Sequence, residues 1–277
     1  MEDTLFQQFR RLIALHAGLD IPERDGQRFS ETTSGRVRSL KLSTPERYYQ
    51  FLETDTAESR VEWEGLMAQL TVGESYFFRD EGQFALLRNS VLPELIERNI
   101  RRRSLRIWSA GCSSGEEPYS LAVLVSEALG GRGDWKVVIL GTDINREALE
   151  KARRGVYSEW SFRMVEPGLR VRYFHRRGDE WELDMRIREM VTFRSMNILK
   201  DPFPDLASDL HSLDLILCRN VFIYFDRDAV SPVLRKFEET LHEGGYLITG
   251  HGELHGQKLG RLRTRVFSES VVYQRIP

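Results

Sequence analysis

The stretch I-W-S-A-G-C-S-S-G-E-E-P-Y-S-L, from Ile107 to Leu121, decides the fold of this chain. An apolar segment leads into a loop with glycines at Gly111 and Gly115, and a helical pattern follows at once. Glycine permits a sharp turn and lets a ligand approach the backbone closely. The layout therefore predicts a strand, a ligand-binding loop and a helix of an α/β fold.

The loop disfavours a ligand that binds through its phosphates. It lacks the Lys-Ser/Thr ending of a phosphate-binding P-loop and the G-x-G-x-x-G spacing of a dinucleotide site, which argues against a nicotinamide oxidoreductase. Glu116 and Glu117 follow the loop, where their charge would repel a phosphate. They suit a ligand that is cationic or rich in hydroxyl groups. S-adenosylmethionine, with its sulfonium, amino group and ribose diol, fits that description.

The composition is that of an ordinary globular protein. The 277 residues are 41% hydrophobic and 30% charged, with a formal net charge of -2, which argues against general nucleic-acid binding. No apolar run is long enough to span a bilayer, and Met1–Phe9 does not resemble a signal peptide. Cys112 and Cys218 are predicted to be buried thiols. We expect a cytoplasmic monomer that holds no metal and does not insert into membranes.

The periodicity changes along the chain. Residues 1–90 show helical spacing and predict a helical N-terminal domain with a linker, and Phe84–Ile100 is predicted as one helix. Residues 91–277 alternate strands with helices, which predicts a mostly parallel sheet. The predicted strands are Leu105–Ala110, Lys136–Thr142, Val191–Met196, Leu213–Cys218 and Tyr246–Thr249, followed by the antiparallel pair Arg265–Phe267 and Val271–Gln274.

An insertion interrupts this alternation at about residues 156–190. It is too long for an ordinary connection, and insertions of this size are often functional. Trp181–Leu183 and Met185–Arg188 are predicted to form a hairpin within it.

Polar side chains follow several predicted strands, where ligands bind in an open parallel sheet. Asp143 follows the second strand and is placed to accept from ribose hydroxyls, although it is equally suited to cap the next helix. Asn197 and Ile198 follow the third strand and suit the edge and face of an adenine ring. Arg219 and Asn220 follow the fourth strand. Such residues at successive strand ends predict one shared site.

Several segments in order resemble one family. They are E-S-Y-F-F-R-D (74–80), S-A-G-C-S-S-G-E-E-P-Y-S (109–120), G-T-D-I-N (141–145), C-R-N-V-F-I-Y-F (218–225) and G-H-G-E (250–253). Through them the chain resembles the chemotaxis receptor methyltransferases, the CheR family, from about Leu5 to Val272. The resemblance implies a Rossmann-like class I S-adenosylmethionine-dependent methyltransferase with a small helical N-terminal domain and an inserted antiparallel β-subdomain.

The resemblance also implies a reaction and a partner. The methyl group of S-adenosylmethionine would pass to glutamates on the cytoplasmic methylation helices of chemoreceptors, giving methyl esters for sensory adaptation and S-adenosylhomocysteine as the product. Two other functions stay open: the same chemistry on another acidic signalling protein, and a non-catalytic cofactor-binding regulator. The loop Arg177-Gly178-Asp179 is short beside that of relatives which dock a receptor peptide, so peptide tethering is in doubt.

Residue by residue, the resemblance assigns a site. The matching positions are Ser75 and Arg79 in a segment that covers the cofactor; Glu116 or Glu117 at the glycine loop; Asp143 at the ribose; Asn197 at the adenine; and Arg219 and Tyr224 at the methyl-transfer end. Gly73, Gly111, Ile198 and Asn220 are further candidate cofactor-binding residues. Gly73 stands where the family often has Asn.

Arg79 and Tyr224 are the predicted catalytic residues, and their role would be to orient the substrate. A glutamate has a reference pKa near 4.3, so it is already ionised and needs no general base. The alternative for Arg79 is an ion pair with a neighbouring acid, Asp80 or Glu81. The alternative for Tyr224 is core packing against Phe222 and Phe225.

A basic cluster, Arg36, Arg38 and Lys41, is a candidate docking surface for an acidic receptor helix, with a solvated surface as the alternative.

Overall fold

The computed structural model describes all residues, 1–277. The α-helices are α1 (Asp3–Ala17), α2 (Gly26–Ser39), α3 (Pro45–Glu53), α4 (Ala57–Leu70), α5 (Glu81–Leu86), α6 (Leu92–Arg98), α7 (Glu116–Leu129), α8 (Arg146–Arg154), α9 (Pro167–Tyr173), α10 (Met185–Arg188) and α11 (Arg227–Thr240). The strands are β1 (Ser104–Ala110), β2 (Lys136–Asp143), β3 (Val156–Ser158), β4 (Phe174–Arg177), β5 (Glu180–Leu183), β6 (Val191–Ser195), β7 (Leu213–Cys218), β8 (Leu241–Thr249), β9 (Leu262–Val266) and β10 (Val271–Arg275). Short 3-10 turns cover Glu23–Asp25, Glu159–Phe162 and Phe222–Tyr224.

The main sheet has seven strands in the order β6-β2-β1-β7-β8-β10-β9. The first five in that order pair in parallel, and β10 runs antiparallel to both β8 and β9. The strand order reverses between β1 and β7, and the carboxyl ends of these strands meet at one edge. This is the switch point at which open α/β sheets bind ligands. The prediction of a Rossmann-like α/β fold is confirmed.

The central strands are apolar because both faces of the sheet are covered. Every residue of β7 is buried. Ile107 and Leu215 belong to the hydrophobic core on one face, whereas Trp108 and Ile216 belong to the core on the other. Alternate side chains of a strand point to opposite faces, so these continuous apolar runs support two cores.

The N-terminal helices enclose a separate core of 13 buried residues. The Phe9 ring packs edge-on against Phe29 at a centroid distance of 5.5 Å. Thr44 caps α3 through its side chain, as expected for a helix start at Thr-Pro. Leu70 still packs on this core, whereas Phe77 is buried in the core of the sheet, so the packing divides the chain between these two residues.

The predicted helix over Phe84–Ile100 is present, running from Glu81 to Arg98, but it is not α-helical throughout. The segment is helical, but a π-helical stretch, Leu87–Val91, separates α5 from α6. Pro93 lies in the first turn of α6 and carries no N–H to continue the regular ladder. A single π-helical turn is too short an interruption to show in a 3.6-residue apolar period.

The predicted hairpin is wrong in its second half. The subdomain is a three-stranded antiparallel sheet in the order β3-β5-β4, and β5 pairs with β4 across Gly178 and Asp179. Met185–Arg188 forms the helical turn α10, which begins where the Asp184 side chain accepts from the Arg186 amide at 2.9 Å. A four-residue alternating run fits a strand and a helical turn equally well. The Asp184 side chain, which caps the first turn, selects the helical form.

One residue of the predicted basic cluster, Arg36, is not available as a surface charge. The Arg36 guanidinium lies 2.5 Å from the Glu62 carboxylate, which is only 3% exposed and also accepts from the Tyr48 hydroxyl at 2.6 Å. This arrangement joins α2, α3 and α4, so Arg36 is a structural residue. Arg38 and Lys41 are exposed.

Both cysteines are buried free thiols, as predicted, and burial raises the pKa of each. None of the helices is both long enough and apolar enough to cross a membrane.

His16, near the end of α1, makes the N-terminal fold sensitive to acid. Its ring stacks on Trp63 at 3.7 Å, and burial, with a smaller contribution from Lys200, lowers the pKa of His16 from 6.5 to about 4. The unfolded chain therefore takes up a proton at a higher pH than the folded one. This contribution to stability is complete above about pH 6.5 and is lost as the pH falls toward about 4.

We expect His16→Phe, which can still stack but cannot titrate, to weaken the pH dependence of the free energy of unfolding between about pH 4 and 6.5. Urea denaturation at several pH values measures this. The matched control is His255→Phe, at an exposed histidine. Parallel pH profiles for the wild type and His16→Phe would contradict the assignment.

Candidate functional site

One cavity at the carboxyl ends of β1, β2, β6 and β7 gathers most of the predicted site residues. Those that line it are Gly73, Ser75, Arg79, Gly111, Glu117, Asp143, Asn197, Ile198, Arg219, Asn220 and Tyr224. Glu116 is the one predicted site residue that does not line it. The remaining lining residues are Ala17, Leu19, Leu70, Thr71, Val72, Glu74, Tyr76, Phe84, Cys112, Ser113, Ile144, Asn145, Ala148, Met196, Val221 and Phe225. The wall therefore comes from the sheet, the N-terminal helices and the segment between them.

The glycine loop is held in place by β2. The amides of Gly111 and Cys112 donate to the Thr142 carbonyl at 2.8 and 2.9 Å. Gly111 has a φ of +76°, and a Cβ there would collide with the Val221 side chain. This position thus requires glycine for its backbone conformation and for the close approach of the next loop.

The two adjacent glutamates have different environments. Glu117 lines the cavity, accepts from the Ser109 hydroxyl at 2.7 Å and pairs with Arg219 at 2.9 Å. Glu116 is buried and accepts from the hydroxyls of Ser114 at 2.9 Å and Ser161 at 3.3 Å. Burial raises the pKa of Glu116, with these hydrogen bonds opposing the shift. Consecutive helical residues point in different directions, so only Glu117 reaches the cavity.

Asp143 organises two backbone segments beside the cavity. One carboxylate oxygen accepts from the Ser113 amide at 2.7 Å and the other from the Asn145 amide at 2.8 Å. Asn145 itself caps α8 by accepting from Ala148, so Asp143 is not the cap of that helix. Each carboxylate oxygen can accept a second bond, which leaves capacity for a ligand. Burial raises the pKa of Asp143, and the backbone amides oppose this shift.

Asn197 lines the cavity, but both ends of its side-chain amide form hydrogen bonds within the protein. Its side-chain nitrogen donates to the His16 carbonyl at 2.7 Å, and its side-chain oxygen accepts from the Leu199 amide at 3.0 Å. The neighbouring side chains of Ile198 and Met196 are buried and apolar. This end of the cavity therefore offers an apolar wall.

Arg219 is a buried junction at the end of β7, with its side chain only 3% exposed. Its guanidinium pairs with Glu117, donates to the Gln83 side chain and donates to the Arg79 carbonyl at 2.6 Å. One cation thus joins a strand end, the first turn of α7 and the segment between the domains.

That segment, residues 73–80, covers the cavity, and we call it the covering segment. The Ser113 hydroxyl donates to the Gly73 carbonyl at 3.3 Å, and the Phe77 amide donates to the Ser161 carbonyl at 3.0 Å. The Arg163 guanidinium lies 3.4 Å from the ring centre of Tyr76 and 3.5 Å from that of Trp160. The covering segment is therefore fastened to the β-subdomain as well as to the glycine loop.

Arg79 makes neither of the ion pairs offered as alternatives, with Asp80 or Glu81. Its guanidinium donates to the Glu74 carbonyl at 2.9 Å, within the covering segment. The Asp80 carboxylate instead lies 2.6 Å from the imidazole of His251. Arg79 therefore retains N–H donors toward the cavity.

Tyr224 does not pack in the core. Its side chain is 39% exposed and lines the cavity, whereas Phe222 and Phe225 pack edge-on against each other at 5.5 Å. Tyr224 is thus a partly exposed residue of the cavity wall.

Glu253 is a supporting residue to which the sequence assigned no role. Its carboxylate accepts from the amides of Gly250 at 2.5 Å, Asn220 at 3.2 Å and Ile223 at 3.2 Å. It therefore holds the loop that carries Tyr224. The only signal was the G-H-G-E motif, in which the acid follows a glycine turn by three residues.

Comparison with known proteins agrees with this geometry. Residues 73–268 match a family model described as CheR methyltransferase, SAM binding domain. The chain is 36% identical over 228 residues to the chemotaxis protein methyltransferase of Borreliella burgdorferi, covering 80% of this chain and 78% of that protein. It is 34% identical over 260 residues to the chemotaxis protein methyltransferase of Escherichia coli, covering 91% and 85%. The resemblance drawn from the motifs is confirmed, and the cofactor is S-adenosylmethionine.

We expect Asp143→Ala to weaken the binding of S-adenosylhomocysteine by about 1–3 kcal/mol, because it removes charged hydrogen-bond acceptors from the wall. Calorimetry measures the change. Asp143→Asn, which keeps one acceptor oxygen, should fall between the wild type and Asp143→Ala. Asp179→Ala, at an exposed turn, serves as the control. An unchanged dissociation constant for Asp143→Ala would remove Asp143 from the cofactor site.

Proposed function

Because this chain belongs to the CheR methyltransferase family, we propose that it methylates glutamate side chains of chemoreceptors from S-adenosylmethionine, giving glutamyl methyl esters. One observation supports a carboxylate acceptor. The cavity lining contains no histidine and no lysine. Glu117 is engaged by Arg219, and Asp143 by two amides. The third carboxylate of the lining, Glu74, lies 3.6 Å from the Arg163 guanidinium. The lining thus offers no imidazole or amine as a general base, and its carboxylates have partners within the protein, which favours an acceptor that is already ionised.

The lining suits S-adenosylmethionine in charge and shape. The cofactor supplies a methyl group activated by a sulfonium. We assign Asp143 to the ribose hydroxyls, and Ile198 with its apolar neighbours to the adenine. The carboxylate of Glu117 and the backbone at Gly111 would face the cationic amino-acid end. Arg219 supports this arrangement through Glu117, since its own donors are used within the protein.

We assign alignment and water exclusion to the chain's own residues. The attacking carboxylate and the sulfonium neutralise each other as the new bond forms, so strong stabilisation of the carboxylate would favour the ground state. Positioning alone contributes about 7–11 kcal/mol in favourable cases. Arg79 and Tyr224 would orient the acceptor at the mouth, and the covering segment would exclude water.

We propose that the receptor's methylation helix docks directly, without a tethering peptide. The turn between β4 and β5 consists of Gly178 and Asp179, which leaves little surface beside that hairpin. Arg38 and Lys41 remain exposed positive charges for an acidic helix. Methylation of a different acidic signalling protein is the second candidate, since the site would be the same.

The proposal is tested by incubating the protein with radiolabelled S-adenosylmethionine and receptor-containing membranes, and then treating the membranes with base. Glutamyl esters should release volatile labelled methanol, whereas methylamines would retain the label. Arg79→Ala serves as the low-activity comparison. Stable labelling after base would overturn the ester assignment, and labelling of other acidic proteins in preference to receptors would favour the second candidate.

We expect Tyr224→Phe to retain S-adenosylhomocysteine affinity and to lose part of kcat, because the hydroxyl orients the acceptor without exchanging a proton. Its single-turnover rate should show no new pH dependence between about pH 6 and 8. Tyr49→Phe, on α3 and outside the cavity lining, is the control. A bell-shaped profile that is lost in Tyr224→Phe would indicate acid–base catalysis instead.

A further inference from the structure

We infer that the end of α1 positions Tyr224 and completes the cofactor cavity, so that the N-terminal domain helps to set cofactor affinity and methyl-transfer geometry. The residues concerned are His16, Gly18 and Asp20, which we call the α1 clamp. The inference extends the proposed function, because it names what holds that site together. Its main readout, the binding of S-adenosylhomocysteine, requires no methyl acceptor.

The α1 clamp binds the loop that carries Tyr224 immediately after that residue, on both sides of Phe225. The Asp20 amide donates to the Tyr224 carbonyl at 2.8 Å, and the Asp226 amide donates to the Gly18 carbonyl at 2.7 Å. Leu19 and Phe225 form an isolated antiparallel bridge between these bonds. The N-terminal domain therefore fixes the backbone that follows the Tyr224 side chain, whereas Glu253 holds the backbone that precedes it.

The same helix end also holds the apolar wall. The last carbonyls of a helix lack intrahelical partners and must find others. That of His16 accepts from the Asn197 side chain at 2.7 Å, at the end of β6. Ala17 and Leu19 line the cavity directly. The helix end is thus satisfied by the two loops that flank the ligand.

Gly18 makes this approach possible. It has a φ of +76°, and a Cβ there would lie 2.7 Å from the Phe225 ring. Gly130 offers a matched comparison, because it also ends a helix in the left-handed region, with a φ of +55°. The nearest atom to a Cβ at that position is 4.0 Å away. Alanine at either glycine strains a helix end, but only alanine at Gly18 pushes against the Tyr224 loop.

The experiment compares Gly18→Ala with Gly130→Ala by calorimetry with S-adenosylhomocysteine and by steady-state methylation. Gly18→Ala should weaken binding about tenfold, the scale of losing one or two net backbone hydrogen bonds, and should lower kcat. Gly130→Ala should lose stability without either change. Equal cofactor affinity in Gly18→Ala and Gly130→Ala would overturn the inference.

A second comparison, in a Phe225→Leu background, tests whether Gly18→Ala weakens binding through its contact with the Phe225 ring. Leucine removes the Cε1 and Cζ atoms that lie 2.7 and 3.2 Å from a Cβ at Gly18, so Gly18→Ala should cost less affinity there than in the wild type. An equal loss in both backgrounds would mean that the effect does not pass through the Tyr224 loop, and would refute the α1 clamp.

Hydrogen exchange on the wild type provides a test that needs no variant. The amides of Asp20 and Asp226 should become more protected when S-adenosylhomocysteine binds, and unchanged protection would count against the α1 clamp. If the wild type binds S-adenosylhomocysteine but methylates no receptor, the proposed substrate is wrong. The binding comparison that tests the α1 clamp is unaffected by that result.

Discussion

The ion pair between Arg219 and Glu117 is the interaction on which the rest of the site depends. A buried cation is tolerated only when it is paired and its donors are satisfied, and removing one partner of such a pair typically costs about 3–5 kcal/mol. Here the partners come from α7, from Gln83 on α5 and from the backbone of the covering segment. Arg219 therefore ties the end of β7 to the first turn of α7, to α5 and to the covering segment at one point.

The charges around the cavity follow from this arrangement. Glu117 is neutralised from within the protein, and Glu116 is turned toward serine hydroxyls, so neither is free to take a proton from an acceptor. Burial raises the pKa of Asp143, whereas two backbone amides donate to its carboxylate and favour the charged form. The site holds negative charge for binding rather than for proton transfer, which suits a cationic methyl donor.

Much of the sheet could be predicted from local patterns. The β7 run is apolar at nearly every position, and glycines mark the turn after β1, so strand and loop follow from nearby residues. The failures lie where a short run fits two structures. Met185–Arg188 fits a strand as well as a helical turn, and only the Asp184 cap decides between them.

The site shows the same division between local and distant causes. That polar residues gather at the strand ends follows from the topology, and the cavity contains nearly all of those predicted. What each side chain does there depends on partners far away in sequence. Asn197 bonds to the carbonyl of His16, 181 residues away, and Glu116 is drawn toward Ser161 in the subdomain. Pattern and spacing carry no information about such pairs.

The attachment of the covering segment has a kinetic consequence. The guanidinium of Arg163 contacts the rings of both Tyr76 and Trp160, so the covering segment can part from the small sheet only if these cation–π contacts break. Exchange of spent cofactor for fresh then requires a displacement larger than a flexible loop would need, and in many enzymes such opening steps limit turnover.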